Sequence, residues 1–102
     1  MTLTQTQLTS LPAEIGQLTS LTGLWLYGNR LTSVPAEIGQ LTSLRTLSLW
    51  NNQLTSVPAE IGQLTSLELD LGDNQLTSVP AAISDLEANG CDVKMDTGVT
   101  LN

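Results

Sequence analysis

LTSVPAEIGQLTSLRTLSLWNNQ, residues Leu31–Gln53, occupies the middle of the chain and is flanked by near copies of itself. Leu8–Arg30 reads LTSLPAEIGQLTSLTGLWLYGNR, and Leu54–Gln75 reads LTSVPAEIGQLTSLELDLGDNQ. A diverged unit, LTSVPAAISDLEANGCDVKMDTGVTLN, follows from Leu76 to Asn102. The spacing is 23, 23 and then 22 residues. Leu31–Leu44 and Leu54–Leu67 are identical, which fits either recent duplication or a chain built to a consensus. Within each unit an alternating apolar segment such as Leu47-Ser-Leu49, followed by asparagine, reads as a short strand. VPAEIGQL, with Pro35 at a first-turn position and Gly39 four residues on, reads as one tight helical turn. A unit this short cannot bury its own leucines, so the units must stack. The expected fold class is α/β: a repeat solenoid with a parallel sheet on one face and short helical turns on the other.

Length and composition place the whole chain in one domain. It has 102 residues, 40% of them apolar, and no apolar run of membrane length. Residues 1–7 read as a partial first strand, residues 8–75 as three repeats and residues 76–102 as a capping repeat. MTLTQTQLTS has neither the basic start nor the apolar stretch of a secretory signal. Cys91 is the only cysteine, so no internal disulfide forms and a reducing, cytoplasmic setting is expected. The net charge of −7 disfavours nucleic acid and anionic membranes as partners.

The pattern L-x-x-L-x-L-x-x-N-x-L appears at Leu21, Leu24, Leu26, Asn29 and Leu31, and again at Leu44, Leu47, Leu49, Asn52 and Leu54. With the PAEIGQL segment it resembles the leucine-rich repeat proteins of the short intracellular class, similar to Ras-suppressor-like and plant Ras-group-related members. The resemblance implies that the sheet lies on a concave face. It also implies that the pattern leucines, Ile15, Ile38, Ile61 and the valines before proline form the core. Asn29, Asn52 and Asn74 become an internal ladder satisfying backbone groups of adjacent turns. Thr6 replaces the asparagine at the N-terminal end, where the ladder should stop. A protein-binding role is implied, although the fold itself fixes no partner.

Residues between the pattern leucines should point away from the core. Read across repeats, one row is Thr2, Trp25, Ser48, Asp70 and the next is Thr4, Tyr27, Trp50, Gly72. All three aromatic residues of the chain fall there, with Glu68, Asp70 and Asp73 in the adjoining half. An aromatic cluster of Trp25, Tyr27 and Trp50 beside an acidic patch is the expected partner-binding site, with Ser48 between them, suited to a basic or polar protein segment. A structural or self-associating scaffold, engineered or cut from a longer array, is the alternative, through the uncapped first strand.

No catalytic constellation is found: there is no histidine, no glycine-rich phosphate loop and no metal-ligand spacing, so no enzyme activity, cofactor or metal is expected. The glycines read as turn residues, Cys91 as a small core residue, and Glu14, Glu37 and Glu60 as a solvated column. Pro80–Asn89 reads as a longer helix, with Ile83 and Leu86 on one face and Gly90 as its stop, followed by a final strand over Cys91–Met95. In the short copy, LTSLELDLGDNQ, the loss must precede Leu69, because a deletion inside the strand would turn side chains to the wrong face. Leu67 is then drawn toward the strand or displaced from the core.

Overall fold

Each repeat turns where an apolar residue meets proline. In the computed structural model, which describes residues 1–65 and 67–101, Pro12, Pro35 and Pro58 hold extended backbone with φ of −73°, −67° and −69°. Each caps a five-residue 3-10 turn: Ala13–Gln17, Ala36–Gln40 and Ala59–Gln63. The prolines therefore stand one place before the turn instead of inside it. There the fixed φ directs the chain inward and the proline carbonyl accepts the first N–H of the turn, as in Ile38 N–H to Pro35 O at 3.0 Å.

Three-residue strands follow: β1 (Gly23–Trp25), β2 (Thr46–Ser48) and β3 (Glu68–Asp70). The last unit supplies β4 (Ser78–Val79), α1 (Ala82–Ala88), β5 (Asp92–Lys94) and β6 (Thr100–Leu101). The main sheet is parallel in the order β1-β2-β3-β5, and β4 pairs with β6 in a small parallel ladder. Leu24, Leu47, Leu69 and Val93 stand in one row across the main sheet. Met1–Gln5 extends it on the β1 side, with Thr2 opposite Trp25, in the register the 23-residue repeat predicts.

The core lies between sheet and turns. Leu24, Leu26, Leu47, Leu49, Leu69 and Leu71 from the strand side meet Ile15, Ile38, Ile61 and Ile83 from the turn side, all buried. Val34, Val57 and Val79 before the prolines are buried as well. Full burial of one such side chain contributes about 1.5–3 kcal/mol. Stacking therefore supplies what no single repeat could.

The asparagine ladder runs along one edge of this core. Asn52 Nδ2 donates to Leu26 O at 3.0 Å and Leu49 O at 3.1 Å, while its Oδ1 accepts the Leu31 N–H at 3.1 Å. Asn29 and Asn74 repeat the arrangement one unit away on either side. Thr6 continues no ladder; its N–H and Oγ1 both donate to Asn29 Oδ1. Among the described residues no buried side-chain nitrogen or oxygen lacks a partner.

Just before each ladder position the backbone enters the left-handed region, at Gln5 (φ 55°), Gly28 (75°), Asn51 (58°) and Asp73 (54°). Glycine, asparagine and aspartate tolerate this conformation best. Asn51→Val should cost about 1–2 kcal/mol in a urea titration, because in the left-handed region a branched Cβ crowds the following carbonyl oxygen. Asp73→Gly should stay within about 0.5 kcal/mol of the parent.

The short copy keeps its strand in register: Leu69 and Leu71 are buried, and Leu67 remains in the core at the start of β3. The adjustment is visible at Leu64, whose ψ is 129° where Leu18 and Leu41 have 59° and 61°. The tight corner of the other repeats is thus straightened. Ser66, inside the shortened link, lies outside the described residues. Cys91 packs beneath this link, partly buried, with its Sγ accepting the Leu67 N–H at 3.4 Å.

The helix of the last unit closes the array. Ile83 and Leu86 are buried against the third turn, and Gly90 (φ 88°) ends α1. The Gly90 N–H bonds Glu87 O and the Cys91 N–H bonds Leu86 O, the paired bonds of a Schellman stop. The chain then passes directly into β5.

Candidate functional site

The open face of the sheet is built by the alternation that buries its leucines. Its first row is Gly23, Thr46, Glu68 and Asp92; its second is Trp25, Ser48, Asp70 and Lys94. Tyr27 and Trp50 follow just past the ends of β1 and β2. Trp25 and Trp50 are 37% and 44% exposed, Ser48 and Asp70 are half-buried, and Glu68 is exposed.

The expected three-ring cluster does not form. Tyr27 and Trp50 meet edge to face, with ring centroids 6.4 Å apart and planes at 61°, a favourable geometry for aromatic rings. Trp25 instead folds back along its own strand over Gly23. A Cβ at Gly23 would lie 2.4 Å from the Trp25 ring. The physical reason is the empty surface above Gly23, where the neighbouring repeats carry Thr46 and Glu68. Trp50 similarly lies against Gly72, whose added Cβ would come within 3.1 Å of the indole. Gly23 and Gly72 therefore seat tryptophans, a use that the reading of glycines as turn residues missed.

The acidic half also differs from one uninterrupted patch. Lys94 stands beside Asp70 in the same row, placing a cation among the acids. Asp73 belongs to the left-handed turn beyond the strand, and Asp96 Oδ1 accepts its N–H at 3.0 Å. Asp70 is partly committed as well, its Oδ1 accepting the Gly72 N–H at 3.0 Å. Glu68 and the neighbouring Asp92 are left as the freely exposed carboxylates of the first row. Asp92, Lys94 and Asp96 went unassigned in sequence because the last unit has a different spacing. Among the described residues no three histidine, cysteine or acidic side chains converge as a metal site.

Repeat length, ladder and parallel sheet agree with what the comparisons return. The family model described as a leucine-rich repeat region matches residues 1–71. The chain belongs to the leucine-rich repeat family. Among solved structures, this repeat protein is similar to an LRR protein of Leptospira interrogans, with 42% identity and a TM-score of 0.78. The match covers 94% of the present chain and 24% of that one, so the chain spans about a quarter of its length. No curated protein matches. The family suggests a protein-interaction or repeat-scaffold role. Among the described residues no helix is long and apolar enough to cross a membrane.

Proposed function

We propose that this leucine-rich repeat protein is a non-enzymatic binding module that takes a protein or peptide segment across its open sheet face. The observation that carries this reading is the Tyr27–Trp50 pair, Trp50 exposed and Tyr27 half-buried, with Trp50 resting on Gly72 and the exposed Trp25 on Gly23. Exposed aromatic side chains held in place lose little conformational freedom on binding and are enriched among the residues that dominate interface energies. The two indoles offer anchors for an apolar side chain of the partner. Glu68, Asp70 and Asp92, one or two strands from Trp50 and two or three from Trp25, favour a basic group further along the same segment. Strands in a sheet lie about 4.8 Å apart, so anchor and basic group should be separated by about 5–15 Å, depending on which indole is the anchor.

The test uses an array of peptides that combine one aromatic or leucine anchor with lysine or arginine at varied distances. Indole fluorescence reports on the site directly, since Trp25 and Trp50 are the only tryptophans. Bound peptides should lose about tenfold in affinity with Trp50→Ala, equivalent to about 1.4 kcal/mol, and should bind more weakly as salt rises. Circular dichroism should be unchanged. If Trp50→Ala and the Trp25→Ala, Trp50→Ala double variant bind every captured peptide as the parent does, the sheet face is not the site.

A further inference from the structure

We propose that the recess just before β2 is an oxyanion site, built from Arg45 and the hydroxyls beside it and suited to a phosphate group. It lies at the opposite end of β2 from Trp50, and the proposal stands apart from the peptide-binding reading.

Two departures from the repeat meet at this place. The link between turn and strand comprises residues 18–22 in the first repeat, 41–45 in the second and 64–67 in the third. Its last residue is Thr22 in the first and Arg45 in the second, which puts a cation where the earlier copy has a hydroxyl. The third link ends one residue sooner: Leu67 takes the buried place of Leu44, and Glu68 is already level with Thr46. Beside Arg45 the next repeat therefore lacks a counterpart. A recess of about 500 Å³ stands there, lined by Thr22, Thr42, Ser43, Leu44, Arg45 and Thr65.

The lining selects the ligand. Leu44 is buried, while the other five residues are exposed and bring four hydroxyls and one guanidinium. Among the described residues no carboxylate lines the recess. Glu68, the first residue of β3, stands instead in the open-face row with Thr46 and Asp92. The backbone of Arg45 is fixed between its neighbours: its N–H donates to Thr22 O at 2.8 Å, and its carbonyl accepts the Glu68 N–H at 2.7 Å. A guanidinium fork engages two oxygens of an oxyanion at once, and a hydroxyl donates to one more. With Thr22, Thr42, Ser43 and Thr65 the donors come from three successive repeats, which suits the tetrahedral oxygens of phosphate better than the two coplanar oxygens of a carboxylate. A polyanion is repelled by the net charge of −7, whereas a single phosphate needs only the local cation.

Inorganic phosphate, titrated into the full chain at constant ionic strength, should shift the amide NMR signals of Thr42, Ser43, Arg45 and Thr65 with a dissociation constant of about 1 mM, and chloride should not. Arg45→Gln should weaken binding about tenfold, and Thr42→Val with Thr65→Val about threefold, with unchanged circular dichroism. Arg30→Gln removes the same charge elsewhere and should leave the affinity within about twofold of the parent. Trp50→Ala should leave it unchanged as well, which separates this outcome from that of the peptide test. Two arms identify the source of the phosphate. A phosphoserine flanked by alanines that binds more tightly than inorganic phosphate, while its unphosphorylated form does not bind, assigns a phosphorylated protein segment; an affinity no greater assigns a free phosphate. Absence of shifts at these residues up to about 20 mM phosphate overturns the proposal. Equal losses with Arg45→Gln and Arg30→Gln overturn it too, since attraction would then be diffuse.

Discussion

Asn52→Ala should lower the unfolding free energy by about 3–5 kcal/mol, a large share of the 5–15 kcal/mol that holds a domain together. The magnitude follows from what each backbone group retains. Leu26 O and Leu49 O keep a second donor, Asn29 Nδ2 at 2.9 Å and Asn74 Nδ2 at 2.9 Å, so each loses one of two bonds. The Leu31 N–H loses its acceptor and is buried, which costs about 1–3 kcal/mol; the two lost bonds add about 1 kcal/mol each. Asn74→Ala removes the same kinds of bond at a half-buried position, where water can replace them, and should cost about 1–2 kcal/mol. Urea titrations of the two variants check the order. Equal costs, or a loss below 1 kcal/mol for Asn52→Ala, would show that the ladder does not carry this share.

That ladder was legible in the sequence through the resemblance to leucine-rich repeat proteins, whose pattern implies partners for Asn29, Asn52 and Asn74 on adjacent turns. The repeat spacing located the strand of the short copy. Leu69 and Leu71 had to stay inside, since a one-residue slip would have exposed them, and the slack was taken at Leu64.

The candidate face was less readable because it depends on what repeats do differently. The direction of the Trp25 ring is decided by a missing side chain at Gly23, which only the alignment of Gly23 with Thr46 and Glu68 could have signalled. Lys94 was hidden for another reason. Successive strand partners, Leu24, Leu47, Leu69 and Val93, are spaced by 23, 22 and 24 residues, so the helix of the last unit shifts every later position. Carrying the 23-residue period forward would have paired Asp70 with Val93, which packs half-buried against the core, and left the cation out of the row.

The turn side is where the period is least forgiving, and Gly39→Val should expose that with a loss of about 3 kcal/mol. A Cβ at Gly39 would stand 2.5 Å from Glu60 O and 2.9 Å from Gln63 Oε1 of the next turn. The side-chain amide can swing away, but the carbonyl belongs to a backbone held by its own 3-10 bonds. Nor can the repeats simply separate, because the strands at the other side of the core are fixed at hydrogen-bonding distance, about 4.8 Å. The turns would have to splay, opening the layer that contains Ile38 and Ile61, both fully buried. Gly16 makes a comparable approach, 2.8 Å to Glu37 O, but among the described residues its turn packs against one neighbouring turn, where that of Gly39 packs against two. It can tilt outward, so Gly16→Val should cost about half as much. Thermal and urea unfolding of the two variants decide between tight stacking and a loose turn layer: the second would make Gly39→Val and Gly16→Val alike, each near the ~0.5 kcal/mol of an ordinary surface change.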